Sequence, residues 1–409
     1  MTASALPRPE AARPVGLIIA LCLAAALCEG FDIQIAGVSA AGIGREFHPS
    51  PGALGWFFSA ANIGLLIGAV IGGRLSDRIG RKPVLVASLA VFGLFSLSTT
   101  LVHDMQTLTA VRLLTGLGLG GCMPNLIAAA AGARGATPRG GDIGTSYIGM
   151  PLGGAIASLI AVVLPADHWR QLFIVGGLTP LAAAAAMAAF MPSIVGREPA
   201  QAAAASRDTM RDLRELFGGR LAQTATLWIG LFLAVLTLHL MLNWLPLLLV
   251  AQGLTKSQAA LAQVGFNVAG SAGALLVGRL LDTRARRPAV VLCVSALPLI
   301  LLSLAAIHGP ATAGLAMVLG ASLLALQVIL FSVAGSIYAE RIRGTGLGAA
   351  VGVGRVGSIT GPAFAAVLLA SGGNSAQVLM GLLPIAVVAG ICAAALTWRT
   401  PEGQVLATH

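Results

Sequence analysis

The chain has 409 residues, 57% of them hydrophobic and only 10% charged, with a net charge of +10. Soluble domains carry about 25% charged residues, and a water-soluble fold has too little interior to hide this much apolar side chain. Only two of the 25 basic residues are lysine, and no basic stripe with interleaved aromatics occurs, which excludes nucleic acid as a partner and leaves the lipid bilayer as the solvent.

Apolar runs long enough to cross a hydrocarbon core of about 30 Å can be followed along the chain. Arg8 and Arg13 precede the first, which pauses at Ala26-Leu27-Cys28 as a cleaved signal would. The run resumes from Ile33, so it reads as a first transmembrane helix over 15–41. Further spans are expected at 54–74, 83–101, 106–132, 141–164 and 170–190. A charged, proline-bearing stretch at 191–221 reads as a water-exposed linker, and six more spans follow at 222–250, 257–280, 288–307, 311–338, 345–370 and 377–398. The expected fold is therefore an all-α integral membrane protein of twelve helices, with six-helix halves at 1–190 and 222–409. Cys22, Cys28, Cys122, Cys293 and Cys392 fall inside apolar runs without histidine companions, which predicts buried thiols and no metal site.

With both termini on the cytoplasmic side, the tails and inside loops hold 20 basic residues and the outside loops three, Arg45, Arg170 and Lys256. That asymmetry is the positive-inside rule and requires an even number of spans. Arg112 and Arg355 fall inside apolar segments. The halves also repeat: Gly73-Arg74-Leu75-Ser76-Asp77 follows the second span and Gly278-Arg279-Leu280-Leu281-Asp282 the eighth. Such a repeat fits two related six-helix bundles.

Gly73 to Lys82 resembles the loop signature of the major facilitator superfamily, and the stretch from Arg112 to Gly121 resembles its charged fourth-helix motif. Glu29-Gly30-Phe31-Asp32 resembles the acidic first-helix motif of the aromatic acid:proton symporters, with Glu29 where that group usually has Asp. Gly118 to Asn125 and Arg341 to Gly346 are similar to the same group, and within it to the hydroxyphenylpropionate transporters. The resemblance implies import of a small aromatic carboxylate with protons by a monomer in a bacterial inner membrane. It also implies a gating role for Gly73, Asp77, Arg78, Gly80, Arg81, Asp282 and Arg343. The Gly-Pro-rich run Gly149 to Gly154 keeps proton-driven efflux open as the alternative.

A charge inside a bilayer costs several kcal/mol, so each intramembrane ion is a functional candidate. Glu29 and Asp32, three apart, project from nearly one helix face, where two carboxylates cannot both ionise easily. A proton-coupled transporter needs such a group; the competing reading is that both are paired with arginines and only fix the helix. Arg355 can hold a carboxylate by two parallel hydrogen bonds, or pair with one of the acids. Arg112 either assists proton release or is a structural charge. The expected substrate site comprises Arg355, Arg112, Asn125, Tyr147, Asn243 and Gln327, with Gln34, Asn62, His239, Gln263 and Asn267 as further polar groups; singly, such polar residues serve more often as helix–helix hydrogen bonds. No phosphate loop, His-Glu-x-x-His or Gly-x-Ser-x-Gly elbow occurs, which argues against an enzyme, and no cofactor is expected. An ion gradient is then the expected driving force.

Overall fold

The computed structural model describes residues 15–132, 140–191, 218, 220–338 and 340–399. The tails and nearly all of the linker, with Arg8, Arg13, Arg134, Arg139 and 192–217, lie outside the described residues. Twelve α-helices follow in order: α1 (Val15–Phe47), α2 (Pro51–Ile79), α3 (Arg81–Ser98), α4 (Met105–Gly132), α5 (Gly140–Val163), α6 (Arg170–Phe190), α7 (Leu221–Ala251), α8 (Lys256–Leu281), α9 (Arg286–Ala306), α10 (Ala311–Ile337), α11 (Glu340–Ala370) and α12 (Ser375–Arg399). Ten of them are long and apolar enough to cross a membrane, and the stretch Gly149–Val163 of α5 is a shorter apolar helix. Among the described residues there is no strand.

Several helices overrun the expected spans. α1 reaches Phe47 and α2 runs on to Ile79, because the polar residues beyond the apolar core still complete intrahelical hydrogen bonds while their side chains reach water. Local signals fix the ends. Ser50 accepts the Ala53 N–H ahead of Pro51, and Thr255 and Gln258 form a reciprocal capping box at the start of α8. The Asp104 carboxylate accepts the Thr107 N–H at 2.8 Å and its hydroxyl at 2.7 Å, which holds the acid below the usual carboxylate range. Gly80, at φ 88°, turns α2 directly into α3, a left-handed position that favours glycine inside the loop signature.

Packing obeys the repeat. In the first half α2 packs on α4, α1 on α5 and α3 on α6; in the second α8 packs on α10, α7 on α11 and α9 on α12. Every pair returns six helices later. Between α2 and α4 the contact is backbone on backbone: a Cβ on Gly64 or Gly68 would strike the Leu113 or Leu117 carbonyl, and one on Gly116 or Gly120 the carbonyl of Ala61 or Leu65. Without a hydrophobic drive between helices in lipid, such close approach supplies the dispersion that holds them. The halves meet through α2 with α11, α5 with α8 and α1 with α7. Here the face bearing the α1–α2, α3–α4, α5–α6, α7–α8, α9–α10 and α11–α12 loops is called distal. The hydrogen bonds that Gln34, Ser59, Lys256, Ser257, Gln263 and Asn267 make between the halves lie in the distal half of the helices.

Candidate transport site

The four intramembrane charges sort into two kinds. Asp32 of α1 and Arg112 of α4 form a buried ion pair, in which the Arg112 Nε alone makes no bond. The Arg112 Nη1 donates to both Asp32 carboxylate oxygens at 2.9 Å, and its Nη2 to the Asp32 backbone carbonyl at 3.4 Å. Arg112 is 2% exposed and Asp32 fully buried. The Phe57 and Phe173 rings flank the guanidinium at 5.9 and 5.8 Å, so its faces are covered by π-electrons as well. The pair makes one network from α1, α2, α4 and α6.

Glu29 and Arg355 are different. Both Glu29 carboxylate oxygens are buried and accept no hydrogen bond. Arg355 of α11 is half-buried, and its guanidinium makes no hydrogen bond or ion pair with a described residue. Arg355 nevertheless lies close enough to act electrostatically on Glu29 and on His239. Packing explains that placement: Gly354 lies against Val235 and Gly357 against the Phe232 carbonyl, so α11 runs along α7 at this level. His239, one turn beyond Val235, turns its Nδ1 back to the Val235 carbonyl at 3.1 Å. An unspent cation, an unspent acid and an imidazole thus gather between the halves.

The expected polar residues divide as well. Asn243 donates to the His239 carbonyl at 2.7 Å and stays beside this group. Gln327 of α10 has a buried Nε2 without a partner. Asn125 is spent elsewhere: it accepts the Ser76 hydroxyl at 2.6 Å and donates to the Gly121 carbonyl. At 1.5 Å per residue it lies about 20 Å along α4 from Arg112. Asn62 turns back to the Phe58 carbonyl of its own helix. Asp77 and Arg78 are exposed near the end of α2, Arg81 opens α3 and Asp282 caps the end of α8, all at the face opposite the distal one. A side chain at Gly73 would meet no atom within 4 Å, so packing does not demand glycine there in this conformation. The Tyr147 and Arg343 side chains lie outside the described residues.

Spacing gave no sign of one arrangement. Gln34 of α1 donates to the Leu242 carbonyl at 3.1 Å and accepts from Gln263 at 3.2 Å and Asn267 at 3.1 Å, both of α8. Three amides from opposite halves make one buried cluster. Each was visible as a polar residue in an apolar run; their convergence was not. All five cysteines are buried and free, and among the described residues no group of His, Cys, Asp and Glu could hold a metal ion.

A family model described as the Major Facilitator Superfamily matches residues 22–333 and 251–408. The chain belongs to the Major Facilitator Superfamily. It is 37% identical over 392 residues to the 3-(3-hydroxy-phenyl)propionate transporter of Escherichia coli K12, covering 95% of each chain. It is 30% identical to the gallate transporter of Pseudomonas putida, covering 87% of this chain and 86% of that one. Relatives of this kind place it in the superfamily's aromatic acid:proton symporter family. Among solved structures, the fold resembles a D-xylose-proton symporter with a TM-score of 0.76 at 17% identity, covering 96% of this chain and 99% of that one. It also resembles the xylose transporter XylE from E. coli in an inward open conformation, with a TM-score of 0.72 at 16% identity and 96% and 98% covered. The chain is a multi-pass membrane transporter and not an enzyme.

Proposed function

We propose that this transporter imports a small aromatic carboxylate, such as a hydroxyphenylpropionate or hydroxybenzoate, together with protons, across a bacterial inner membrane with both termini in the cytoplasm. The observation that carries the reading is Arg355: a guanidinium between the halves that bonds no described residue, within electrostatic reach of Glu29, whose carboxylate oxygens accept no hydrogen bond from a described residue. A substrate carboxylate satisfies Arg355 by two parallel hydrogen bonds. Gln327 and Asn243 offer further polar atoms for the ring substituent. Glu29 takes up and releases the coupling proton, and Asp32, held by Arg112, keeps α1 in register with α4. The names of the relatives, which include transporters of 3-(3-hydroxy-phenyl)propionate, gallate and 4-hydroxybenzoate, support the substrate class. The loop from Gly73 to Arg81, with Asp282 and Arg343, gates the face opposite the distal one, and alternation follows from the two halves rocking about the site.

The test is uptake of radiolabelled 3-(3-hydroxyphenyl)propionate into proteoliposomes under an imposed inward proton gradient. Saturable accumulation that an uncoupler abolishes is the expected result. No accumulation, with loss of preloaded substrate driven by an inward proton gradient, would establish efflux by proton exchange instead.

A further inference from the structure

The internal repeat that aligns Gly73 with Gly278 also aligns Pro51 with Lys256 and Gly52 with Ser257. These residues open α2 and α8 after equivalent side-chain caps, Ser50 and Thr255. Each helix start lies on a seam with the opposite half, α2 against α11 and α8 against α5. Pseudo-symmetry makes the two seams equivalent in backbone, but their chemistry differs.

At the α2–α11 seam the contact is small and apolar. Gly55 faces Ala366 so closely that a Cβ would overlap its methyl group, and the hydrogen bond across this seam, Ser59 to the Ile359 carbonyl at 2.8 Å, lies two turns deeper. At the α5–α8 seam the rim itself is polar. The Lys256 ammonium donates to the Leu164 carbonyl at 2.5 Å, and the Ser257 hydroxyl donates to the Val162 carbonyl at 3.0 Å. Both acceptors belong to the end of α5, where the last carbonyls have no intrahelical partner and the helix dipole is negative. A cation from one half therefore caps a helix of the other. Its charged neighbours are Arg45 and Asp167, themselves paired at 3.6 Å. Beneath the rim, Gln34 of α1 accepts from Gln263 and Asn267 of α8, a second polar link between the halves. Hydrogen bonds therefore tie this seam at its rim.

We propose that Lys256, assisted by Ser257, is a latch that holds the distal face closed. Opening that face draws the ammonium off the end of α5 and leaves those carbonyls uncapped, a cost that the Pro51–Gly52 seam does not carry. The halves then part unevenly, with the α5–α8 seam the last to release.

The test uses the full chain in lipid nanodiscs with spin labels at His103→Cys and His308→Cys, exposed positions on distal loops of opposite halves. The native cysteines are all buried and leave these two sites for labelling. The unmodified latch should give mainly one short interspin distance. Lys256→Met should raise the share of a longer distance, changing the ratio of the two populations roughly tenfold, as expected for losing a charge-assisted hydrogen bond. Lys256→Arg should restore the short distance, and Pro51→Ala should leave it unchanged. An unchanged distribution in a folded, monodisperse Lys256→Met variant would overturn the latch, as would equal opening in Pro51→Ala. If Lys256→Met does not fold, Lys256→Gln combined with Ser257→Ala is read by the same criterion. No substrate enters this measurement, so its failure is separate from any failure of the proposed uptake.

Discussion

Arg112 and Arg355 sit in comparable settings, one intramembrane arginine in each half, yet they are built for opposite ends. Arg112 is enclosed by an acid, a backbone carbonyl and two aromatic rings, and none of these can leave without stranding a charge in a dry interior. Arg355 has an acid within electrostatic reach but makes no bond to it. A buried charge that is satisfied inside the protein stiffens it, and one left unsatisfied awaits a partner from outside. The difference lies in the neighbours and not in the arginines.

Substitutions at five positions would break or sharpen that contrast. Arg112→Ala has the largest expected effect, because it leaves Asp32 buried and unpaired: about 3–5 kcal/mol of stability should be lost, seen as a collapse of the thermal unfolding midpoint in detergent. Replacing Asp32 by Asn in the same chain should recover much of it. Arg355→Ala should do the reverse, leaving the midpoint within about 0.5 kcal/mol of its starting stability while carboxylate uptake disappears. Arg355→Lys should recover only part of the uptake, since an ammonium lacks the planar fork. Glu29→Gln should separate coupling from binding: accumulation under a proton gradient is lost, and counterflow of labelled substrate continues. If counterflow vanishes too, Glu29 shapes the binding site and is not the proton carrier. The smallest effect is expected for Asn125→Ala, which removes the Ser76 bond at a cost of about 1 kcal/mol. Substrate affinity measured by uptake should not change, and a large rise in KM would return Asn125 to the binding site.

The fold was legible because lipid makes a strict demand. Every spanning segment must satisfy its own backbone, so apolar length alone predicted where helices run. The matched Gly-Arg-Leu openings after α2 and α8 showed that the halves repeat, and the recurrence of each packed helix pair six helices later agrees with it. The site was legible only as a set of suspects. Glu29 and Asp32 share a helix face, and their spacing gave no means of assigning Arg112 to one and Arg355 to the neighbourhood of the other. Asn125 lay in a motif and was placed with the substrate site, whereas its amide ties α4 to α2. Lys256 counted only as one of three outside charges.

The sequence by itself determined the solvent, the number of helices, their repeat and the few polar groups buried among them, because these follow from composition and from periodicity within one segment. Only the tertiary structure decided which charge is satisfied and which is left open, and which of two equivalent seams is tied by hydrogen bonds. Those outcomes depend on contacts between residues as far apart as Asp32 and Arg112, or Leu164 and Lys256. Helix–helix approach sets such contacts, and no local pattern along the chain encodes them.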